Sequence, residues 1–169
     1  MRRIAQEAVA KQRRIYFLGA GPNAATAPEG ALKAKEATYV TSEGFELEQA
    51  IHGPQVAFER EDLLIPIAVK GPAQPRMADF LLATREIGSR VWLIGEAPNT
   101  ETAQLFHGVG WAHFPICDGI DLPEELTPLV AALPVQLLAD FLATACGTNA
   151  DSFRTDQEEY KKAGTRFRI

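Results

Sequence analysis

The chain alternates short runs of β-forming residues with helical patterns, and this alternation constrains its fold more than any other feature. An apolar run at 15–18 ends in the glycine turn 19–23, and a helical pattern follows from Pro28. The same order then recurs. Further strands are predicted at 62–69, 90–94 and 111–116, and further helices at 75–87, 100–106 and 124–145. We therefore predict a three-layer α/β/α sandwich whose mostly parallel sheet has about four to five strands.

The length of 169 residues fits one domain. We predict a single α/β domain over residues 1–150, opened by a charged leading helix at 1–13, and a polar C-terminal tail at 151–169 that packs on the domain or on a partner. The connection at 41–61 is longer than a minimal α/β unit needs, and long connections commonly have a function. Its titratable residues include Glu43, Glu46, Glu48 and His52.

The charge pattern narrows the choice of partners. The net charge is -5, from 22 acidic and 17 basic side chains, and no basic run is long enough to follow a phosphate backbone. The N-terminus lacks an apolar segment behind its arginines, and no stretch approaches about eighteen uninterrupted apolar residues. We therefore expect a cytoplasmic protein that binds neither nucleic acid nor membrane.

The cysteines and two of the histidines carry no functional pattern. Cys117 and Cys146 lie in apolar surroundings without metal-ligand spacing, which predicts two inert buried thiols. His107 and His113 have no companions and are interpreted as structural. We predict no metal site and no cofactor.

One helix face carries two carboxylates around one ammonium. Glu29, Lys33 and Glu36 lie at i, i+4 and i+7, so their side chains share a face. This arrangement is typical of an ordinary surface ion pair and equally of a surface that handles protons. His52 adds a group that titrates near neutral pH, directly before Gly53 and Pro54.

The glycine turn Gly19-Ala20-Gly21 has two interpretations. Glycines after a strand can open a loop that binds an anion through backbone N–H groups. However, the third glycine of a dinucleotide fingerprint would fall at Ala24, and no P-loop lysine follows. A tight turn that needs small residues is the alternative.

The order of these motifs resembles the sugar-isomerase (SIS) domain family. The run Tyr16-Phe-Leu-Gly-Ala-Gly21, the octapeptide EGALKAKE at 29–36, the acidic connection and His52-Gly-Pro54 closely resemble the C-terminal isomerase half of glucosamine-6-phosphate synthases and their relatives. The segments 133–139 and 147–151 resemble that family's last helix and the start of its tail.

The resemblance implies a flavodoxin-like fold and a phosphosugar aldose-ketose isomerase centre, or the related fructosamine-6-phosphate deglycase. By position, Glu36 matches the base that moves a proton between C1 and C2, and His52 matches the group that opens the sugar ring. Lys33 matches the cation that stabilises negative charge on the intermediate. The resemblance implies a secondary role for Glu29 in the same reaction.

The chain departs from the family at two places. The family's Ser/Thr-rich phosphate cradle is replaced by the segment at 70–76, and the tail lysine that forms a Schiff base with the ketose is matched only loosely, by Lys161 or Lys162. We predict these two lysines as substrate-binding residues. Without a glutaminase domain, we expect no glutamine-dependent synthesis from this chain alone.

Three functions follow as alternatives. The first is a catalytic half acting on a hexose 6-phosphate or fructosamine 6-phosphate, which requires a homodimer or pairing with a second, phosphate-binding SIS domain. The second is a non-catalytic phosphosugar-binding or regulatory module. The third is a nucleotide-binding protein that uses the glycine turn.

Overall fold

The computed structural model describes residues 1–10, 14–108, 110–116 and 119–167. The strands are β1 (Ile15–Gly19), β2 (Ser42–Glu46), β3 (Leu63–Ala68), β4 (Arg90–Gly95) and β5 (Trp111–Phe114). The helices are α1 (Arg2–Ala10), α2 (Thr26–Thr38), α3 (Leu47–Ile51), α4 (Gln74–Ile87), α5 (Thr100–Leu105), α6 (Thr127–Cys146) and α7 (Glu158–Phe167). Short 3-10 turns lie at Gly21–Ala24, Pro54–Ala57 and Glu124–Leu126.

The five strands form one parallel sheet in the order β2-β1-β3-β4-β5. The predicted α/β architecture and strand number are therefore confirmed. The long connection at 41–61 is itself regular, because it contains β2 and α3. β2 has the sequence SEGFE and lies at the edge of the sheet, so it lacks the apolar run by which a central strand is recognised.

Apolar side chains fill both faces of the sheet. On one face, Phe17, Trp92 and Leu138 belong to a buried cluster shared by α1, α2 and α6. On the other face, Leu64 and Phe80 belong to a cluster shared by α3, α4 and α5. Two cores on either side of one sheet give the three predicted layers.

Helix α2 packs closely on the sheet because its inner face consists of small residues. Ala27 and Ala31 are almost fully buried, and a Cβ atom on Gly30 would lie 2.5 Å from Cδ1 of Phe17. The Ser42 hydroxyl donates a 2.7 Å hydrogen bond to the carbonyl of Ala31. A Cβ on Gly44 would collide with the backbone of Ala27. Because Ala31 lies beside Ser42 and Ala27 beside Gly44, helix α2 runs antiparallel to β2, from the end of that strand towards its start.

Helix α6 is the longest helix among the described residues. It is as apolar on average as a membrane-spanning helix, although it contains no long uninterrupted apolar run. By length and composition alone, the segment Glu124–Cys146 is apolar enough to cross a membrane, with a hydropathy of 1.8. However, 39% of that window is buried inside the domain. The buried residues include Ala131, Val135 and Leu138 in the core. One side of α6 therefore packs in the core.

The C-terminal segment folds back on the domain before it forms α7. Ala150 packs against a small buried cluster of Ala37, Ala139 and Ala143. The Thr148 hydroxyl donates a hydrogen bond to the carbonyl of Ala37, near the end of α2. The boundary at residue 150 stays a prediction. Of the leading helix predicted at 1–13, the last three residues lie outside the described part of the chain.

Candidate active site

Glu29, Lys33 and Glu36 form one ion-paired group on α2, which we call the α2 cluster. Lys33 Nζ donates a 2.8 Å hydrogen bond to Glu36 Oε2 and lies 3.7 Å from Glu29 Oε1. The hydrogen bond to Glu36 raises the pKa of the Lys33 ammonium above its usual value, while partial burial opposes this rise. Lys33 is therefore positively charged at neutral pH, and the Glu36 side chain is only 25% exposed.

Glu36 borders two open cavities. One, of about 360 Å³, lies towards the end of α2 and is lined by Lys35, Tyr39 and Arg154 among others. The other, of about 380 Å³, lies towards α6 and is lined by Lys33 and Gln136 among others. Phe153 borders both cavities. The Glu36 carboxylate is thus placed where a small polar molecule can reach it.

The tail turn beside Glu36 is held by a stacked arginine. The Arg154 guanidinium lies 4.7 Å from the ring centroid of Tyr39 and 3.9 Å from that of Tyr160. Its Nε donates a 2.9 Å hydrogen bond to Gln157 Oε1. Phe153 and Arg154 have φ angles of 47° and 61°, which is unusual for residues other than glycine. Strained backbone of this kind is concentrated at functional sites.

His52 lies in a second group at the other end of β2. Its side chain is 73% exposed, and Nε2 lies 3.2 Å from Glu48 Oε2. Glu48 also accepts two hydrogen bonds from Arg76, the shorter being 2.6 Å. The hydrogen bonding to Arg76 lowers the pKa of the Glu48 carboxyl, and the neighbouring His52 lowers it further.

The structure brings together the three predicted residues of the α2 cluster but not His52. Because α2 runs antiparallel to β2, Glu36 lies beyond the start of β2. His52 follows α3, beyond the end of the same strand. One copy of the chain therefore presents the two groups beyond opposite ends of the edge strand β2.

The predicted tail lysines lie on α7, whose Tyr160 borders the first of the two cavities beside Glu36. Both are exposed, and Lys162 Nζ lies 3.6 Å from Glu158 Oε1. Neither Lys161 nor Lys162 lines the two cavities that Glu36 borders.

The glycine turn after β1 has a structural explanation. A Cβ atom on Gly19 would collide with the backbone of Asn23, and the buried Asn23 side chain bonds Thr26 and Thr127. A Cβ on Gly21 would lie 2.8 Å from Glu124 Oε1. The turn is therefore tight and faces a carboxylate, which disfavours an anion at this position.

The SIS domain model matches residues 8–106 of this chain, a range that includes the α2 cluster and His52. The chain belongs to the SIS domain family. The glutamine–fructose-6-phosphate aminotransferase [isomerizing] of Brucella abortus biovar 1 is 30% identical over 146 residues, which are 86% of this chain and 23% of that protein. This SIS domain therefore spans about a quarter of the length of the curated relatives it matches.

Solved structures share the fold. The C-terminal domain of glucosamine-fructose-6-phosphate aminotransferase from Francisella tularensis has a TM-score of 0.74 and 22% identity, and the match covers 89% of this chain and 40% of that one. A protein from Escherichia coli CFT073 in complex with A5P has a TM-score of 0.69 and 16% identity, with 89% of this chain and 80% of that one covered. The match confirms the SIS fold.

Other titratable groups of this SIS domain lie outside the candidate site. His113 Nε2 lies 2.6 Å from the carbonyl oxygen of Gly95, in keeping with a structural role. Cys146 is partly rather than fully buried, and this burial raises the pKa of its thiol. Cys117 lies outside the described residues. Within the described ranges, no group of three or more His, Cys, Asp or Glu residues is placed to hold a metal ion.

Sequence reasoning missed Tyr39, Phe153 and the stacking of Arg154 as neighbours of Glu36. The available signals were the basic character of the tail and the tyrosine directly after the EGALKAKE helix. Neither signal specifies a contact between residues more than a hundred positions apart, such as Tyr39 Oη and Ser152 Oγ at 3.4 Å.

Proposed function

We propose that this SIS domain is the acid–base half of a phosphosugar aldose-ketose isomerase, with Glu36 as the base. The observation that carries the proposal is the Lys33–Glu36 pair within EGALKAKE, placed beside two open cavities. The name of the Brucella relative, which includes the word isomerizing, supports the same class of reaction. The substrate class is a hexose 6-phosphate.

The proposed reaction moves one proton between two neighbouring carbons. Glu36 takes the proton from C2 of the open-chain aldose and returns it to C1, while the hydroxyl proton passes from O2 to O1 through an enediol. Lys33 lies within hydrogen-bond distance of the base, so its ammonium can stabilise negative charge on the enediol oxygens. Glu29 is the second carboxylate of the cluster and helps to hold Lys33 in place.

His52 is proposed to open the sugar ring by passing a proton between the ring oxygen and the hydroxyl at C1. Glu48 contacts Nε2 of His52, which fixes the orientation of the imidazole. Because His52 and Glu36 lie beyond opposite ends of β2 in one copy, the proposed site is composed of two chains, one supplying Glu36 and the other His52. Lys161 and Lys162 remain proposed substrate ligands, and their exposed position on α7 also suits such a shared site.

The proposal is tested by NMR of hexose 6-phosphates in D2O. The spectra follow two processes, the exchange of the hydrogen at C2 and the isomerisation itself. We expect Glu36→Gln and His52→Asn each to lower turnover by about 10²-fold to 10⁴-fold, as for loss of a general acid or base. Glu43→Gln, an exposed carboxylate on β2, is the matched control and should retain full turnover. Unchanged turnover in both test variants would refute the mechanism.

The same site suits release of an amine from a 6-phosphorylated fructosamine, because transfer of a proton from C1 to C2 converts the C1 amine into an imine. Water then breaks the C1–N bond and leaves an aldose 6-phosphate and the free amine. Parallel assays with hexose 6-phosphates and with fructosamine 6-phosphate distinguish the isomerase from the deglycase. Formation of free amine with fructosamine 6-phosphate, without isomerisation of hexose 6-phosphates, would assign the deglycase.

A non-catalytic phosphosugar-binding module is the second candidate, and the absence of the Ser/Thr-rich cradle favours it. In its place, Lys70 pairs with Asp121 at 2.9 Å and Arg76 pairs with Glu48. Thermal-shift titration distinguishes the candidates. Stabilisation by hexose 6-phosphates without turnover supports the module, and stabilisation by nucleotides alone supports the nucleotide-binding alternative.

A further inference from the structure

A cavity of about 230 Å³ lies between helix α1 and the starts of β3, β4 and β5, and we call it the α1 cavity. It shares no lining residue with the two cavities beside Glu36. An apolar cavity of about 150 Å³ holds a benzene ring, so the α1 cavity has room for a ring that carries one further small group. It is therefore separate from the candidate active site and large enough for a small ligand.

Apolar and aromatic side chains make up much of the wall of the α1 cavity. Ile4 and Ala8 come from α1, and Leu63 comes from the start of β3. Trp92 and Trp111, the two tryptophans of the chain, also line the cavity. A wall of this kind favours a ligand with a flat apolar body, because aromatic rings pack well on one another and their burial favours binding.

The charged side chains of the α1 cavity carry a surplus of positive charge. Arg3 and Arg90 both line it, and Glu7 is the one carboxylate among its described lining residues. Glu7 accepts a hydrogen bond from Nη1 of Arg90 and lies 3.9 Å from Nε of Arg3. One carboxylate cannot neutralise two guanidinium groups. An anionic group on a ligand is therefore the electrostatic complement of this wall, although the chain as a whole has a net charge of -5.

Two of the lining side chains have hydrogen-bond donors that the described residues do not use. The Arg90 side chain is 26% exposed, and within the described ranges Glu7 alone accepts a hydrogen bond from its guanidinium. Trp92 is 2% exposed, and no described residue accepts a hydrogen bond from its indole N–H. A guanidinium has five N–H donors, and a buried indole N–H usually has a partner. A ligand with acceptor oxygens supplies the partners that the wall lacks.

We propose that the α1 cavity binds a small aromatic carboxylate, with its ring against the tryptophans and its carboxylate on Arg90 and Arg3. A carboxylate matches the planar fork of a guanidinium and accepts two hydrogen bonds from it. A sugar phosphate matches this cavity less well, because its hydroxyl groups would lose water against the apolar part of the wall. The inference does not rest on the proposed function, since it involves neither the α2 cluster nor His52.

The test is a titration of the full chain with benzoate, without sugar phosphate, followed by tryptophan fluorescence. Because both tryptophans line the cavity, the whole tryptophan signal comes from its wall. We expect a saturable change with a dissociation constant of about 1 mM or below. Benzamide has the same ring but no charge, and it should bind at least about tenfold more weakly, because its hydrogen bonds to the arginines are not charge-assisted on both sides.

Three arginine variants locate the carboxylate. Arg90→Gln should weaken benzoate binding by about tenfold to hundredfold, because it removes charged hydrogen bonds from a half-buried guanidinium. Arg3→Gln should weaken it by only about threefold, because the Arg3 side chain is 82% exposed and its charge is screened by water. Arg2→Gln is the matched control on the same helix, and since Arg2 does not line the cavity, it should bind benzoate as wild type does.

If Arg90→Gln fails to fold, as judged by circular dichroism, Arg90→Lys replaces it. Lysine keeps the charge opposite Glu7 but lacks the fork, so weaker binding of benzoate is still expected.

Four outcomes would overturn the proposal. They are the absence of a saturable change up to about 10 mM benzoate, equal binding of benzoate and benzamide, benzoate binding that the Arg90 variant leaves unchanged, and binding of inorganic phosphate as tight as that of benzoate. The last outcome would show that the ring contributes nothing. None of these measurements depends on turnover of hexose 6-phosphates, so this inference and the proposed function fail separately.

Discussion

Glu36 and His52 lie beyond opposite ends of the edge strand β2, Glu36 near its start and His52 past its end. The contacts of α2 with β2 determine this separation, since Ala31 lies beside Ser42 and Ala27 beside Gly44. Both residues lie within residues 8–106, the range that the SIS domain model matches. The proposed function therefore requires a site that combines two chains.

Subunit mixing tests this shared site. Glu36→Gln and His52→Asn are each expected to be inactive alone, but a mixed dimer contains one site with both residues intact. Because random exchange makes half of the dimers mixed, we expect about a quarter of wild-type activity after equilibration. The measurement is turnover against time after mixing. A mixture of Glu36→Gln with the double variant is the control and should stay inactive, whereas absence of recovery despite proven exchange would refute the shared site.

Gly30, the glycine of EGALKAKE, is explained by packing rather than by chemistry. A Cβ at this position would lie 2.5 Å from the ring of Phe17, which is almost fully buried. Alanine favours the helix by about 1 kcal/mol over glycine, but overpacking a filled core costs about 1 to 3 kcal/mol. Because a 2.5 Å contact is a severe overlap, the cost lies in the upper part of this range, and we expect Gly30→Ala to lower the free energy of unfolding by about 1 to 2 kcal/mol, measured with urea.

The matched control for this prediction is Gly164→Ala. Gly164 also lies within a helix, α7, but a Cβ there meets nothing within 4 Å. Its replacement should leave stability unchanged or raise it slightly. If Gly30→Ala were as stable as wild type, the close packing of α2 on Phe17 would be wrong.

The central part of the fold could be predicted from local patterns. The runs that become β1, β3 and β4 are apolar because both of their faces are buried, and helix α4 carries a proline in its first turn and a glycine, Gly88, at its end. The edge strand β2 could not be predicted in this way, because Glu43 and Glu46 interrupt its apolar pattern. An edge strand is exposed on one side and tolerates polar residues.

The candidate site was predictable as far as it depends on one helix. The spacing of Glu29, Lys33 and Glu36 determines that their side chains meet, and they do. The distance of His52 from this group depends on the direction in which α2 crosses the sheet, and the approach of Arg154 to Tyr39 depends on how the tail folds back. Both are tertiary relationships that local spacing does not contain.

The Glu48 carboxyl should titrate below its ordinary value of 4.5, because its hydrogen bonds from Arg76 and its contact with His52 favour the charged form. Carbon-detected NMR of the carboxyl gives the midpoint. We expect Arg76→Gln to raise this midpoint most and His52→Asn to raise it less. Since the pKa is lowered in the folded state, the pair stabilises the fold at pH values above the ordinary value. That contribution is lost as the pH falls through the lowered pKa. Equal midpoints in wild type and Arg76→Gln would contradict the ion pair.

Arg154 is predicted to hold the tail turn against the domain beside Glu36. Its guanidinium stacks on Tyr39, at the end of α2, and on Tyr160, in α7. Each cation–π contact contributes about 0.5 to 1 kcal/mol, so losing both in Arg154→Ala should make amide exchange in α7 about fivefold to thirtyfold faster. Hydrogen exchange followed by mass spectrometry measures this rate for peptides covering 151–167.

The core should be unaffected by that substitution, because Arg154 contacts the end of α2 and not the sheet. Peptides from β1, β3 and β4 are therefore expected to exchange as slowly as in wild type. Arg166→Ala is the control within α7, since Arg166 is exposed and removes a similar charge. If both variants accelerated exchange in α7 equally, net charge and not stacking on Tyr39 would hold the tail. If neither did, the tail would be held by Ala150 and the hydrogen bond from Thr148 to Ala37 alone.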